Sequence, residues 1–180
     1  AIGGNIDIPL PPGTGDEGLM KVMRELVVPI LEEFNPDIVI NSAGQDNHFS
    51  DPLANMQVTA KGYAELVDLL QADIAVLEGG YSVQEALPYV NTGIILSMAG
   101  LDYSKVVEPA FDPHKYKQSQ NVTAYIDDLI AKWKVQWANR HKIAKEERTG
   151  VGDIWSNRYN VYYDETGVQE ERLEKVRMYE

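Results

Sequence analysis

The chain has no cysteine and only three histidines, His48, His114 and His141. That excludes a disulfide framework, a thiolate nucleophile and a sulfur-ligated zinc site. Any metal must be held by Asp, Glu and a scarce imidazole. Basic residues are also few: 16 Lys and Arg stand against 28 Asp and Glu, a formal net charge of −12 over 180 residues. Phosphate contacts need clustered Lys and Arg, so no direct nucleic-acid partner is expected. The same balance repels anionic lipid. Long apolar runs are missing too, and the best, Ile94 to Met98, is far short of the ~20 residues of a membrane span. No signal-peptide pattern precedes the first residues, so a cytoplasmic protein without membrane contact is expected. The chain starts at Ala1 and runs at once into an alternating, strand-like stretch, Asn5–Leu10. That reads as the latter part of something longer.

What is present is ordinary for a globular domain, with 44% hydrophobic residues, which argues against disorder. A Pro/Gly turn, Pro11 to Asp16, leads into a helix with Leu19, Met23, Leu26, Val27, Ile30 and Phe34 on one face. Pro29 is expected to bend that helix. The run Asp37–Ile40 reads as a buried strand, and Thr59 can cap a helix carrying Tyr63, Leu66, Val67 and Leu70. A second buried strand follows at Ile74–Leu77. A helix is then expected from Ser82, which with Glu85 matches a capping box. Strand and helix alternating at these lengths predict an α/β fold with a parallel sheet flanked by helices. Beyond Asp102 a loop with Pro109 and Pro113 precedes a long amphipathic helix with Val122, Ile126, Leu129, Ile130, Trp133 and Trp137 on one face. Gly150 and Gly152 are expected to break it. A short strand within Arg158–Tyr163 and a charged terminal helix complete the expectation.

Ligands of open parallel sheets bind beyond the carboxyl ends of the strands. The first strand empties into Ser42–Ser50 and Asp51-Pro52, the second into Glu78-Gly79-Gly80-Tyr81. One crossover helix joins them, so Asp46, His48, Asp51 and Tyr81 should gather on one rim. A carboxylate, an imidazole and a phenol together suit cation binding and carbonyl polarisation. Each also has a plainer reading. Asp46 could be a turn or cap residue, His48 a satisfied loop histidine, Asp51 turn chemistry and Tyr81 a packed aromatic.

The same loops carry a resemblance. Pro11-Pro-Gly-Thr-Gly-Asp16, Pro36-Asp-Ile-Val, Ser42-Ala-Gly-x-Asp-x-His48 with Asp51-Pro-Leu-Ala-Asn-Met56, and Glu78-Gly-Gly-Tyr81 occur in order. Together they resemble the zinc-dependent histone deacetylase superfamily, nearest its class II, acetoin-utilisation and acetylpolyamine amidohydrolase branch. The resemblance implies an arginase/deacetylase-like α/β fold, with residues 1–104 as the C-terminal part of that domain. Residues 105–180 would form a mainly helical extension of it.

By that resemblance, Asp46 is a zinc ligand and Tyr81 stabilises the oxyanion. Gln45, His48, Asp51, Gly79 and Gly80 lie around them, with Gly79 and Gly80 letting the tyrosine swing in. His48 falls on a histidine that is not a metal ligand. The substrate class implied is an acetylated amine, hydrolysed by metal-activated water. The tandem histidines and the Asp-x-His ligand pair of the family's earlier half have no counterpart here. The chain alone is therefore expected to be inactive, and to self-associate or to associate with the missing N-terminal portion. Gln45 departs from a position that is usually apolar or small. A rival reading is a non-catalytic deacetylase-like interaction module.

Overall fold

The computed structural model describes residues 5–148, 163–164 and 167–168, with side chains through residue 140. Among these, Ile6–Gln136 form one compact unit, and Asn5 and the described residues from Trp137 onward fall outside it, in a second.

Asp16 and Glu17 put acidic charge in the first turn of α1 (Asp16–Val22), where the helix dipole favours it. A π turn (Met23–Val27) follows and passes directly into α2 (Val28–Phe34), with Pro29 in its first turn. Pro29 has no N–H, and its ring crowds the carbonyl of residue 25; the wider winding just ahead relieves both problems. What stands where a bend is expected is this change of winding. The extra residue wound in there also breaks the helical phase, so Phe34, expected on the buried face, is exposed. Residues 5–10 correct another expectation. They form no strand, and Ile8 and Leu10 instead pack irregularly on Val22, Ile126 and Ile130.

The first strand lies three residues later than its apolar run suggested. β1 (Ile40–Ala43) pairs in parallel with β2 (Ile74–Leu77), in register from Ile40↔Ile74 to Ala43↔Leu77. Asp73 explains the delay. Its carboxylate accepts the Val39 N–H (2.9 Å), while the Asp73 and Ile74 amides both donate to the Val39 carbonyl. The crossover is α3 (Ala60–Leu70), capped as expected by Thr59, whose Oγ1 accepts from the Gly62 amide (3.1 Å). Neither strand is buried as expected: Ile40 is 60% exposed, and Ile38, Ile74, Val76 and Leu77 are exposed with it. Among the described residues the sheet has these two strands only, and no layer covers these side chains.

α4 (Leu87–Met98) begins five residues after the predicted cap. The Ser82 hydroxyl is held by Ser50 (2.7 Å) instead of capping, and the Ser82 carbonyl closes a turn with the Ala86 amide. Pro88 then sits in the first turn of the helix, where its fixed φ fits. α3 and α4 pack together, with Tyr63, Val67, Val90 and Ile94 buried between them and joined by Val58 and Val106.

α5 (Gln120–Arg148) presents the predicted face, with Ile126, Ile130 and Trp133 buried. Ion pairs Lys21–Asp127 and Lys134–Glu25 flank it. Both are exposed, so apolar contact carries that packing. β3 (Tyr163–Asp164) and β4 (Gly167–Val168) pair antiparallel. The expected break at Gly150 and Gly152, the remainder of the Arg158–Tyr163 strand and the terminal helix lie outside the described residues.

Gly93 sets the α3–α4 distance. A β-carbon there would stand 2.9 Å from the Ala60 carbonyl and 3.3 Å from the Ala64 β-carbon. An exposed helical Gly→Ala change gains about 1 kcal/mol. Here Gly93→Ala should instead cost about 1–3 kcal/mol through overpacking, measured by urea unfolding. A gain in stability would show that the helices are free to separate.

Candidate functional site

Parallel pairing brings the carboxyl ends of β1 and β2 side by side. The Gln45 amide donates to the Gly79 carbonyl (2.6 Å), which joins the two following loops directly. The first loop is then tacked to the chain entering α3. Phe49 N–H donates to the Val58 carbonyl and Val58 N–H to the Asn47 carbonyl, each at 3.1 Å. From α3, the Tyr63 hydroxyl accepts the Asn47 amide (3.1 Å). Burial, with acidic neighbours, pushes that phenol well above its ordinary range, so it stays protonated.

The two glycines of the second loop are fitted against the first. Gly80 has φ +145°, a region that disfavours any side chain. A β-carbon on it would lie 2.9 Å from the Gln45 β-carbon. A β-carbon on Gly79 would lie 2.8 Å from Asp46 Oδ2 and 3.6 Å from the Tyr81 hydroxyl. The bare Gly79 therefore leaves space in which the Asp46 carboxylate and the Tyr81 phenol face one another. Neither side chain takes a hydrogen bond from a described residue. Tyr81 is 53% exposed. The resemblance gives these glycines a part in tyrosine movement; what their geometry provides is close approach.

Asp51 and His48 join the cluster through the backbone and not through free side chains. Asp51 accepts from the amides of Tyr81 (2.8 Å), Leu53 (2.9 Å) and Ala54 (3.3 Å), and Ser82 contributes as well. Burial pushes its pKa up, but these amides outweigh it and hold the carboxyl below the usual carboxylate value. Its turn role is the plainer of the two readings, with one addition: it anchors the Tyr81 backbone. His48 is fully buried, and both ring nitrogens have partners other than Asp46. Its Nε2 meets Glu108 Oε1 (2.8 Å), and its Nδ1 meets Ser50 (2.9 Å). Gln45 is equally buried. Its Nε2 donates to Asn91 on α4 (2.5 Å), and its Oε1 has no partner. His114 is exposed in a loop.

Nothing in the sequence assigns Glu108, Asn91 or Asp16 a bracing part around these loops. Glu108 comes from the loop before α5 and also accepts the Ala60 amide, bracing the start of α3. Asp16 does so too, accepting from the Thr59 amide (2.8 Å) and hydroxyl (2.6 Å). Burial raises the Asp16 pKa despite those bonds. No local motif marks a carboxylate that serves a backbone amide more than 40 positions away.

A zinc ion is implied by the resemblance, and the residues can be tested for it. Asp46 fits: its oxygens are free of hydrogen bonds, and they project into space that a Gly79 β-carbon would fill. Asp51 and His48 do not fit, since their acceptors and ring nitrogens are already committed. Among the described residues no group of three or more His, Cys, Asp or Glu could hold a metal, whereas catalytic zinc normally has three protein ligands. Among the described residues, the groups that face this space free of hydrogen bonds are one carboxylate and one phenol.

Residues 1–97 match the family described as the histone deacetylase domain. The chain is 52% identical over 116 residues to a probable deacetylase of Archaeoglobus fulgidus, covering 59% of this chain and 32% of that protein. It is 30% identical over 119 residues to a histone deacetylase-like amidohydrolase of Pseudomonas aeruginosa, covering 61% and 31%. The fold matches the crystal structure of the HDA15 HD domain with a TM-score of 0.59 at 23% identity, covering 82% of this chain and 39% of that one. The chain thus spans about a third of the length of the curated relatives it matches. No helix among the described residues is long and apolar enough to cross a membrane.

Two outcomes follow for stability. Gly80→Ala combines a strained φ with a clash, and should destabilise by about 1–3 kcal/mol in urea unfolding, whereas no loss would mean that the Gln45 contact is loose. Asp51 has a depressed folded pKa, so its contribution is present above its unfolded value, near 3.8, and fades as pH falls through the folded value. Asp51→Asn should cost about 1.5–3 kcal/mol at pH 7. Its stability curve should approach that of the unmodified chain below pH 3.8, and a constant gap across pH would contradict the assignment.

Proposed function

Since the chain belongs to the histone deacetylase domain family, we propose that it supplies part of a zinc-dependent amidohydrolase site that removes acetyl groups from an acetylated amine. The observation that carries this reading is the pairing of a free carboxylate, Asp46, with a free phenol, Tyr81, across the bare Gly79. Asp46 would hold the metal as one ligand. A bound zinc supplies Lewis acidity, activating water and polarising the amide carbonyl.

The chain's own residues do the rest of what it contributes. Tyr81 presents its O–H toward the space beside Asp46, where it donates to the carbonyl oxygen of the acetyl group as negative charge develops there. A donor already aimed at that oxygen costs no reorganisation in the transition state. Asp51 fixes the Tyr81 backbone from below through its amide, so the hydroxyl is delivered from a pinned turn. The closeness of Gly80 to Gln45 sets the height of that turn over the first loop. The remaining metal ligands and the acid–base groups come, on this reading, from residues outside this sequence. Its support is that the chain spans a third of its relatives and leaves Ile40, Ile74, Val76 and Leu77 exposed. The same exposed strands suit association with that remaining portion or with another copy.

Two measurements test this. In a protein that joins this chain to the remaining ligands, Tyr81→Phe should lower turnover by about 10²–10³-fold with zinc content unchanged, and unaltered turnover would remove Tyr81 from the chemistry. Elemental analysis of the isolated 180-residue chain after dialysis without chelator should find almost no zinc. One tightly held zinc per chain would mean that Asp46 has further ligand partners within it.

A further inference from the structure

Two buried ionisable residues, His48 and Glu108, take no part in the chemistry described above, yet their contacts lead to the Tyr81 turn. Glu108 is 4% exposed and His48 fully buried. Phe49 covers the imidazole at a centroid distance of 4.3 Å and is itself packed by Phe111 (5.2 Å) and Tyr116 (4.6 Å). A hydrogen bond in such a dry setting is stronger than one in water, and it costs more to break.

Burial raises the Glu108 pKa, but bonds from His48 and the Ala60 amide outweigh it and hold the carboxyl below its ordinary value. An ionised carboxylate only accepts, so the proton of the 2.8 Å contact sits on His48 Nε2. The Ser50 backbone amide donates to Nδ1 (3.2 Å), which must then present its lone pair. The Ser50 hydroxyl, 2.9 Å from the same nitrogen, can only donate to it, sharing that single lone pair with the amide in a three-centre bond, and it then accepts from Ser82 Oγ at 2.7 Å. Every donor in the line Ser82–Ser50–His48 thus points toward Glu108. Ser82 is the residue after Tyr81.

We propose that Glu108 is a positioning residue for Tyr81, holding the turn at 79–82 through His48, Ser50 and Ser82. It does so by fixing the imidazole as its Nε2–H tautomer, which decides which way both serine hydroxyls point. Glu108 lies outside the residues matched to the family, 1–97, so the segment after α4 reaches back to set a site built by the two strand ends. The role needs no change of charge on His48. It rests on the reading of Tyr81 as the oxyanion donor.

The test uses the full 180-residue chain, labelled with ¹⁵N, and requires no turnover. Long-range proton–nitrogen correlation of the His48 ring should report the Nε2–H tautomer in the unmodified chain. Glu108→Gln keeps an acceptor oxygen and should preserve that tautomer, while Glu108→Ala should admit the Nδ1–H form. Amide exchange at 79–82 should accelerate about tenfold in Glu108→Ala and return close to normal in Glu108→Gln. Glu108→Ala also loses the Ala60 bond and could unfold, so Ser82→Ala decides the matter. That variant leaves α3 untouched and should speed exchange at 79–82 by a similar factor, with Val90–Ser97 of α4 unchanged.

An Nδ1–H tautomer in the unmodified chain, or normal exchange at 79–82 in Ser82→Ala, would overturn the proposal. Either result leaves the role of Tyr81 standing. Loss of that role would show instead as unaltered turnover in Tyr81→Phe, with the exchange results intact.

Discussion

The bond from the Gln45 amide to the Gly79 carbonyl lies just past the last paired residues of the parallel sheet, Ala43 and Leu77. Almost every feature of the site depends on that extension. It draws two loops close enough that Gly79 and Gly80 are the only residues that fit between them, and it sets Asp46 opposite Tyr81. A parallel pair needs a crossover, and α3 is long enough to return the chain to the same edge. Once register and crossover are in place, the carboxylate and the phenol stand on either side of Gly79.

Carboxylates do much of the bracing around this point. Asp16, Asp51 and Glu108 are each partly or fully buried, and each spends its oxygens on backbone amides far away in sequence. Amides at a turn or at the start of a helix have no partners of their own, and a buried charge needs donors, so each group solves the other's problem. The energetics differ between them. Asp51 and Glu108 are held below their ordinary pKa values and favour the fold at neutral pH, whereas Asp16 is raised by burial and works in the opposite sense. Asp46 belongs to none of this bracing, and the proposed ligand role draws on that freedom.

Much of this could be read in the residues beforehand. The α/β alternation, the Thr59 cap, β2, the apolar face of α5 and the convergence of the two loops follow from periodicity and from the rules for parallel sheets. The misses have physical causes. Ser82 looked like a helix cap because Glu85 stands at the right spacing, but its hydroxyl is claimed by Ser50. Phe34 left the buried face because a π turn shifted the phase ahead of Pro29. The strand near Asp37 starts late because Asp73 intercepts the Val39 amide. Glu108 and Asn91 had no signature at all, since a lone carboxylate or amide shows its partner only in three dimensions.

The contact between Gly80 and Gln45 divides the freedom of the two positions unequally. Only the β-carbon of residue 45 presses on Gly80, and every amino acid except glycine has a β-carbon in that place. Over evolutionary time, the side chain at 45 can be exchanged beyond its first carbon without disturbing the turn. Position 80 has no such licence, because its own φ of +145° excludes a substituent whatever stands opposite. A lineage can therefore vary the side chain at 45 one substitution at a time, while the turn that carries Tyr81 stays the same.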